Sequence, residues 1–521
     1  MSFSITNSLI RAAHQHLNVR TTTSVLIRKV HTSKDLKICF VHTPMSSVVV
    51  PKRESFWYNF DKRYYAVHPN LKPADAGIWE LPHWMTWLGG VLQASGYTNV
   101  KALSLYTAVD LTKGIDAEFI TKDILSNPAD VYLYSPMTPN LHNAYDIASL
   151  VKKIYPNSKN IFGGVVSSPL HQQVAQHPSV DFVVRDRGEF ALPALLESMN
   201  DKKEVAKVKN VSFKNDSGEL IINPELFPYM ELAELPFPMV DLFPKEVGDK
   251  LRYIRQNYAL GCPFKCSFCT IQTIGRKTGY FPIERVIAEI KAYRAHYGAQ
   301  HNIYFGDETF TLDPQRTIDI CNALKAEGNI TYDIQTRLMS LNNRNVLAAL
   351  RDSNCKWVEV GIETLSQNSQ MVHKQGTNLT KIKDMLRRMR DHNLPVCSFI
   401  VNGLPDQTPD EMRQSIDGVA KLLQEELLHA TYFFGLVPYP GSLMYQDPTK
   451  YGLNIKTHDY RLYNEDTEPV YDTKLATSKE IYKVFLEGID TLGEAMGNKP
   501  YLGGELSPSV LGALGKSLTH V

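Results

Sequence analysis

The chain has 521 residues, of which 43% are hydrophobic and 21% are charged, as expected for a globular protein of two or three domains. Its formal net charge of +1 implies no extended electrostatic surface, so we expect no nucleic-acid partner. No apolar run reaches the roughly 18 residues that a membrane span needs, and seven cysteines over this length do not form a disulfide framework, which favours a reducing compartment.

The first 34 residues differ in composition from the rest of the chain. They carry basic residues from Arg11 to Lys34 and no acid before Asp35. An acid-free basic segment is typical of a mitochondrial transit peptide, and residues 9–16 are its one candidate amphipathic helix. The cytoplasm is the primary expectation for the protein, with a disordered extension at 1–34, and the mitochondrial matrix is the alternative.

Residues 35–222 alternate short apolar strands with amphipathic helices. Strands are predicted at 37–42, 100–105, 131–134, 160–162 and 182–184, and helices at 81–95 and 144–155. Five such strands predict an α/β, doubly wound Rossmann-like domain, which binds ligands beyond the carboxyl ends of its strands. Ser135 follows the third strand, and Gly163, Gly164 and Ser167 follow the fourth. The aromatic and basic stretch 50–82 is interpreted as a lid over that ligand or as part of a substrate site.

Residues 223–250 contain five prolines and little periodicity, which predicts a linker. In residues 251–446, strands are predicted at 254–260, 302–305, 332–336, 357–360, 396–401 and 430–436. Each ends in polar or glycine-rich residues, and helices such as 283–297 separate them. This alternation predicts a partial (β/α)6 barrel with its active site at the carboxyl ends of the strands. Residues 447–521 are expected to form a C-terminal extension with a helix at 478–494.

Three cysteines, Cys262, Cys266 and Cys269, follow the first barrel strand with C-x3-C-x2-C spacing. Three thiolates on one loop can bind three irons of a 4Fe–4S cluster and leave the fourth iron open for chemistry. Alternatives are ordinary thiols or three ligands of a zinc site, but no second C-x2-C pair accompanies the triplet. The other four cysteines fall within predicted strands or helices and are expected to be buried.

The triplet, with Phe268 before its third cysteine, resembles the signature of the radical S-adenosylmethionine (SAM) superfamily. In that family the open iron chelates the amino and carboxylate groups of SAM, and one electron from the cluster cleaves SAM to a 5′-deoxyadenosyl radical. The predicted strand order over 252–446 is similar to the family's partial, six-stranded barrel. The resemblance also implies an external electron donor, such as a flavodoxin or ferredoxin.

The resemblance implies SAM contacts at the ends of four barrel strands. The segment after the second strand stands where the family binds the SAM amino group, although the usual Gly-Gly-Glu is absent. A basic residue after the third strand is expected at the SAM carboxylate, an acid after the fourth at the ribose or amino group, and a glycine after the fifth at the adenosine. In this sequence these positions are Gly306, Asp307, Glu308, Arg337, Glu363 and Gly403. Alternatively, Arg337 pairs with Asp333 or a surface carboxylate, and Glu363 caps the following helix.

The N-terminal half resembles the cobalamin-binding domain of the cobalamin-dependent radical SAM subclass. The carriers of this resemblance are the pair Gly163-Gly164 and the turn 185–189, which departs from the commoner Arg-Gly-Glu-Gly-Glu. No Asp-x-His-x-x-Gly run is present, so histidine ligation of cobalt is not expected. Ser135 and Ser167 are implied donors to the corrin amides or nucleotide tail. The alternative is a Rossmann-like domain that binds no corrin.

The resemblance implies a methyltransferase that acts on an unactivated carbon of a small molecule. A hydrogen atom would pass to the 5′-deoxyadenosyl radical, the substrate radical would take a methyl group from methylcobalamin, and a second SAM would remethylate the cobalt. Ring formation, oxidative rearrangement or polar methylation on the same fold is the alternative. An iron–sulfur sensor without turnover is disfavoured because three cysteines leave an iron open. The substrate is not identified by the sequence.

Overall fold

The computed structural model describes residues 35–71, 80–104, 109–110, 114–272, 278–374 and 379–497. The expectations for residues 1–34, including the helix at 9–16, lie outside the described residues. Across the described parts of the chain, no helix is both long enough and apolar enough to cross a membrane.

The N-terminal half forms a sheet that contains seven strands within the described residues. These strands are β1 (Ile38–His42), β2 (Val100–Ser104), β3 (Val131–Tyr134), β4 (Lys159–Phe162), β5 (Phe182–Val184), β6 (Val211–Lys214) and β7 (Leu220–Ile222). Their order is β2-β1-β3-β4-β5-β6-β7. The five predicted strands are parallel, whereas β6 and β7 join antiparallel. The sequence analysis therefore predicted five strands of this sheet and missed the two antiparallel strands β6 and β7.

Helices cover this sheet, and every residue of β3 is buried, as expected of a strand covered on both faces. The helices of this half are Arg53–Val67, His83–Ala94, Ala117–Ser126, Leu141–Ile154, Gly164–Ser167, His171–Gln176, Ala191–Ser198 and Lys202–Val205. The segment after β7 contains short 3-10 turns at Leu232–Glu234, Val240–Leu242 and Lys245–Lys250. A two-residue parallel pair, Ser46–Ser47 with Val109–Asp110, lies apart from the main sheet.

The C-terminal half forms a parallel sheet that has six strands among the described residues, arranged in chain order. They are β8 (Ile254–Gln256), β9 (Ile303–Phe305), β10 (Tyr332–Arg337), β11 (Cys355–Glu363), β12 (Val396–Asn402) and β13 (Ala430–Gly435). The main helices are Ile283–Tyr297, Pro314–Glu327, Arg344–Asp352, Leu379–Asp391 and Pro409–Gln424, followed by Leu443–Gln446 and Ser478–Gly497. Leu453–Ile455 and Tyr471–Thr473 form a small antiparallel pair. The predicted partial barrel is confirmed.

The first barrel strand is shorter than the continuous strand predicted at 254–260. β8 ends at Gln256, and Ala259–Leu260 pairs antiparallel with Gly279–Tyr280 instead. The Asp307 carboxylate accepts hydrogen bonds from the backbone amides of Tyr258 (2.6 Å) and Ala259 (3.0 Å). Those amides are unavailable to a parallel ladder, so the chain leaves the barrel and frames the cysteine loop as a hairpin.

The helix Arg53–Val67 packs at the amino ends of the barrel strands. The Phe60 ring lies 4.7 Å from that of Tyr432 and 6.2 Å from that of Trp357. Arg63 donates a 2.8 Å hydrogen bond to the carbonyl of His429, just before β13. None of the residues in this helix lines the ligand cavity described below. The interpretation of this stretch as a lid was therefore wrong for the helix, which closes the bottom of the barrel.

Candidate functional site

The three predicted cluster cysteines lie at the carboxyl ends of the barrel strands. Cys262 Sγ is 3.9 Å from Thr309 Oγ1, just after β9, and Cys266 Sγ is 3.5 Å from Arg337 Nη1 at the end of β10. Burial, together with the nearby thiols of Cys266 and Cys262, raises the pKa of the Cys269 thiol to about 12. Bound iron would supply the positive charge that stabilises these thiolates, so the donor set fits a cluster.

No three His, Cys, Asp or Glu side chains within the described ranges are placed to hold a single metal ion together. The thiolates of a 4Fe–4S cluster bind different irons, so they do not need to converge on one point. The other four cysteines, Cys39, Cys321, Cys355 and Cys397, are buried and unpaired, as expected.

The segment after β9 divides into residues with different surroundings. Asp307 is 1% exposed and points at the amides before the cysteine loop, where burial raises its pKa to about 7. Glu308 instead lines the cavity, and its buried Oε2 has no hydrogen-bond partner among the described residues. Burial also raises the pKa of Glu308. Gly306 is required because a Cβ there would lie 2.5 Å from Arg255 Nε and from Asn257 Oδ1.

Arg337 and Glu363 come together with Lys374, which the sequence interpretation missed. Lys374 is 4% exposed, and its Nζ lies 2.6 Å from Glu363 Oε1. Its carbonyl accepts a 3.1 Å hydrogen bond from Arg337 Nη2 and lies 3.8 Å from Cys266 Sγ. The Arg337 guanidinium also stacks on Phe264, 3.8 Å from the ring centroid. Two cations, Arg337 and Lys374, and one anion, Glu363, therefore lie beside the cysteine loop at the carboxyl ends of β10 and β11.

Two of the alternative roles, an ion pair of Arg337 with Asp333 and a helix cap at Glu363, are not what the structure shows. Asp333 is bound by Tyr64 Oη and His68 Nε2, each at 2.8 Å, rather than by Arg337. The short helix Gln367–Ser369, which follows β11, is capped by Ser366, whose side chain accepts from the Ser369 amide, rather than by Glu363.

Packing within the protein, independently of any SAM contact, already requires a glycine at position 403. Its φ is +92°, and a Cβ would lie 2.7 Å from Tyr471 Oη and 2.8 Å from Ile481 Cγ2. The Tyr471 hydroxyl donates a 2.7 Å hydrogen bond to its carbonyl. The C-terminal extension therefore packs directly on the turn after β12.

A cavity of about 580 Å³ lies between the carboxyl edge of the N-terminal sheet and the start of the barrel. The sheet contributes strand-end residues, the helix His83–Ala94 contributes aromatic rings, and the barrel contributes polar groups. Selected lining residues are His42, His83, Trp84, Trp87, Ser135, Gly163, Gly164, Arg255, Asn257 and Glu308. Burial lowers the pKa of His42 to about 4 and that of His83 to about 3, so both imidazoles are neutral. A largely apolar cavity at the strand ends fits a corrin.

Three of the four predicted ligand contacts of the N-terminal half lie at the cavity, and one does not. Ser135, Gly163 and Gly164 line the cavity, whereas Ser167 does not. Ser167 is fully buried, and its Oγ has no hydrogen-bond partner in the part of the chain that the structure describes. Gly164 has a φ of +83°, and a Cβ there would overlap Ser135 Oγ. The glycine therefore allows the turn after β4 to pass close to the end of β3.

Arg255 is a cavity residue that the sequence interpretation missed, whereas its partner Glu80 lies in the stretch 50–82, which that interpretation placed at the ligand or substrate. Arg255 Nη1 lies 3.1 Å from both carboxylate oxygens of Glu80, and this ion pair joins the two halves. Asn257 is 7% exposed, with an Oδ1 that has no hydrogen-bond partner among the described residues. Arg255 is the middle residue of β8, between the buried Ile254 and Gln256, and this alternation along the strand was the available signal.

Comparison with known proteins agrees with this architecture. Residues 257–418 match the Radical SAM superfamily, and residues 80–196 match the B12 binding domain. The chain is 27% identical over 398 residues to an uncharacterized methyltransferase of Pyrococcus horikoshii, covering 75% of this chain and 82% of that protein. It is 24% identical over 426 residues to the anaerobic magnesium-protoporphyrin IX monomethyl ester cyclase of Rubrivivax gelatinosus, covering 77% and 72%.

The fold is similar to that of the cobalamin-dependent S-adenosylmethionine radical enzyme OxsB, solved with aqua-cobalamin and S-adenosylmethionine bound. The TM-score is 0.63 at 18% identity, over 87% of this chain and 66% of OxsB. The chain thus spans just under two thirds of OxsB, and the likeness concerns the fold.

The two matched domains define the class of protein. The chain is a radical SAM enzyme of the subclass that carries an N-terminal cobalamin-binding domain. Its cofactors are a 4Fe–4S cluster, SAM and cobalamin.

Proposed function

We propose that this enzyme methylates an unactivated carbon of a small-molecule substrate. The observation that carries the proposal is the cavity, whose walls come from the cobalamin-type strand ends on one side and from the barrel residues beside the cysteine loop on the other. Because one space borders both halves, a substrate there could meet a SAM-derived radical and a methyl donor in turn. The named methyltransferase of Pyrococcus horikoshii supports the same activity.

Within this proposal, Cys262, Cys266 and Cys269 bind the cluster. Arg337 binds the SAM carboxylate, Glu363 with Lys374 faces its ribose or amino group, and Gly306, Glu308 and Gly403 border the remainder. When bound, the cobalamin supplies a transferable methyl group, and Ser135, Gly163 and Gly164 provide the surface beside it. Asp307 acts by fixing the hairpin before the cysteines, and Ser167 supports the turn after β4 from behind.

The proposal extends to partners and compartment. A one-electron donor such as a flavodoxin or ferredoxin reduces the cluster, and no nucleic acid or membrane takes part. The compartment is the cytoplasm, with the mitochondrial matrix as the alternative.

Ring formation is the second candidate, because a relative of similar coverage is named as a cyclase. The two reactions differ in how SAM is consumed. Radical methylation gives one 5′-deoxyadenosine and one S-adenosylhomocysteine per product, whereas radical ring formation gives 5′-deoxyadenosine without S-adenosylhomocysteine. Polar methylation gives S-adenosylhomocysteine alone.

The first test needs no substrate. After anaerobic reconstitution with iron, sulfide and hydroxocobalamin, we expect about four irons and about one cobalt per chain. Cys266→Ser should lose the iron. The control Cys321→Ser should retain it, because the new hydroxyl can replace the buried thiol as the hydrogen-bond partner of Tyr332 Oη. Reduction with deuteromethyl-labelled SAM should then place the label on cobalamin with one S-adenosylhomocysteine per chain. Retained cobalt without label transfer would contradict methylation and favour the cyclase-type reaction.

A further inference from the structure

A chain of hydrogen bonds runs from the buried Ser267 in the cysteine loop to the partly exposed Asp406 in the turn after β12. It begins at Ser267, which lies between the second and third cysteines and is 2% exposed. The Ser267 amide donates to the His373 carbonyl at 3.1 Å, and its own carbonyl accepts from the Met444 amide at 3.0 Å. Its Oγ lies 2.9 Å from His373 Nδ1. All three polar groups of Ser267 are therefore engaged within the protein.

His373 links Ser267 to a carboxylate. Its ring is also 2% exposed, and its Nε2 lies 3.1 Å from Asp406 Oδ1. Asp406 accepts further hydrogen bonds from Ser369 Oγ at 2.8 Å and Asn368 Nδ2 at 3.0 Å. Burial opposes ionisation of Asp406, but the bonds from His373 and Ser369 outweigh it, and the pKa of this carboxyl lies below its usual value.

The direction of these bonds follows from the donors and acceptors. An ionised Asp406 only accepts, so His373 Nε2 carries a hydrogen. In a neutral imidazole Nδ1 then accepts, and the Ser267 hydroxyl donates its hydrogen to it. With His373 in this neutral tautomer, the hydroxyl hydrogen of Ser267 is directed toward His373 and is withheld from other acceptors near the cysteine loop.

We propose that Ser267, His373 and Asp406 form a positioning relay that keeps the 4Fe–4S cluster strongly reducing. Hydrogen bonds to cluster sulfurs and nearby net charge set cluster potentials. By holding the Ser267 hydrogen away from the cluster and placing a negative charge behind it, the relay disfavours the reduced cluster and lowers its midpoint potential. A low potential is what cleavage of SAM requires of the donor. The inference depends on the cluster and is independent of the proposed methyl transfer.

The test is the midpoint potential of the reconstituted cluster, measured by electron paramagnetic resonance without cobalamin or substrate. We expect a shift to more positive potential in Asp406→Asn and in His373→Gln, which loses the Nδ1 acceptor, and slower reductive cleavage of SAM to 5′-deoxyadenosine. The control Asp410→Asn removes an exposed carboxylate that pairs with Arg413, and should keep the wild-type potential. The double variant Ser267→Ala/His373→Gln should lie closer to wild type than His373→Gln, since no hydroxyl remains to be released.

Wild-type potentials in Asp406→Asn and His373→Gln, with full iron content, would overturn the proposal. Should Asp406→Asn fail to retain iron, Asp406→Glu must restore both the iron and the wild-type potential, and its failure to do so would also overturn the relay. Loss of methyl transfer with unchanged potentials would instead argue against the proposed function alone.

Discussion

The close approach of Gly164 to Ser135 allows a quantitative test of the ligand-binding turn. Gly164→Ala forces an L-residue to a φ of +83°, which costs about 1–2 kcal/mol. The added Cβ would also overlap Ser135 Oγ and lie 3.2 Å from Ser135 Cβ, and such overpacking costs about 1–3 kcal/mol. Together these terms predict a loss of roughly 2–5 kcal/mol.

Gly218 provides a matched control within the same half of the protein. Its φ is +82°, and nothing lies within 4 Å of its Cβ position, so Gly218→Ala carries the backbone cost alone. The midpoint temperature of thermal unfolding should fall by about 2–4 °C for each kcal/mol of lost stability. Gly164→Ala should therefore melt several degrees below Gly218→Ala, with cobalamin retention reduced, and adding Ser135→Ala should recover part of the difference. Equal melting of the two glycine variants would refute the clash.

Three further predictions concern the barrel. Asp333→Ala leaves two buried donors, the Tyr64 hydroxyl and His68 Nε2, without an acceptor, and should lower the free energy of unfolding by roughly 2–6 kcal/mol. Asp333→Asn should lose less, and equal losses would contradict this. Burial raises the pKa of Glu359 from 4.5 to about 7, so its contribution to stability is present below pH 4.5 and declines as the pH rises through 7. Glu359→Gln should flatten that decline in unfolding measured from pH 5 to 8, and an unchanged slope would argue against it. Arg337→Gln should raise the dissociation constant of SAM about tenfold or more in equilibrium dialysis with reconstituted protein, whereas unchanged affinity would place the SAM carboxylate elsewhere.

The sequence predicted the parts of the fold that depend on local pattern. Hydrophobic alternation located all six barrel strands, because each is a short apolar run that ends in polar or glycine-rich residues. The C-x3-C-x2-C spacing identified the three cysteines as candidate cluster ligands. Strands β6 and β7 were missed although Asp216-Ser217-Gly218 is a turn signal between two apolar runs, so this information was present in the sequence.

Other features depend on contacts between distant parts of the chain. Asp307 looks like a ligand residue by position, yet it binds backbone amides 48 and 49 residues earlier. Lys374 belongs to the site through its ion pair with Glu363, 11 residues away on another element. Ser267 and His373 are 106 residues apart and share no local pattern. Such pairings arise when the sheet closes, and no local pattern of residue types predicts them.

The helix Arg53–Val67 belongs by sequence to the cobalamin-binding half but packs in the barrel. Arg63 alone bonds to carbonyls of His429, Ala495 and Met496, up to 433 residues further along the chain. During synthesis the barrel therefore cannot complete its floor until an early helix is joined by the last strand and the C-terminal helix. Contacts of such long sequence separation slow folding. A fragment that begins at residue 223 would lack the Phe60 ring that packs against Trp357 and Tyr432, so we expect the barrel to need the N-terminal half for its stable fold.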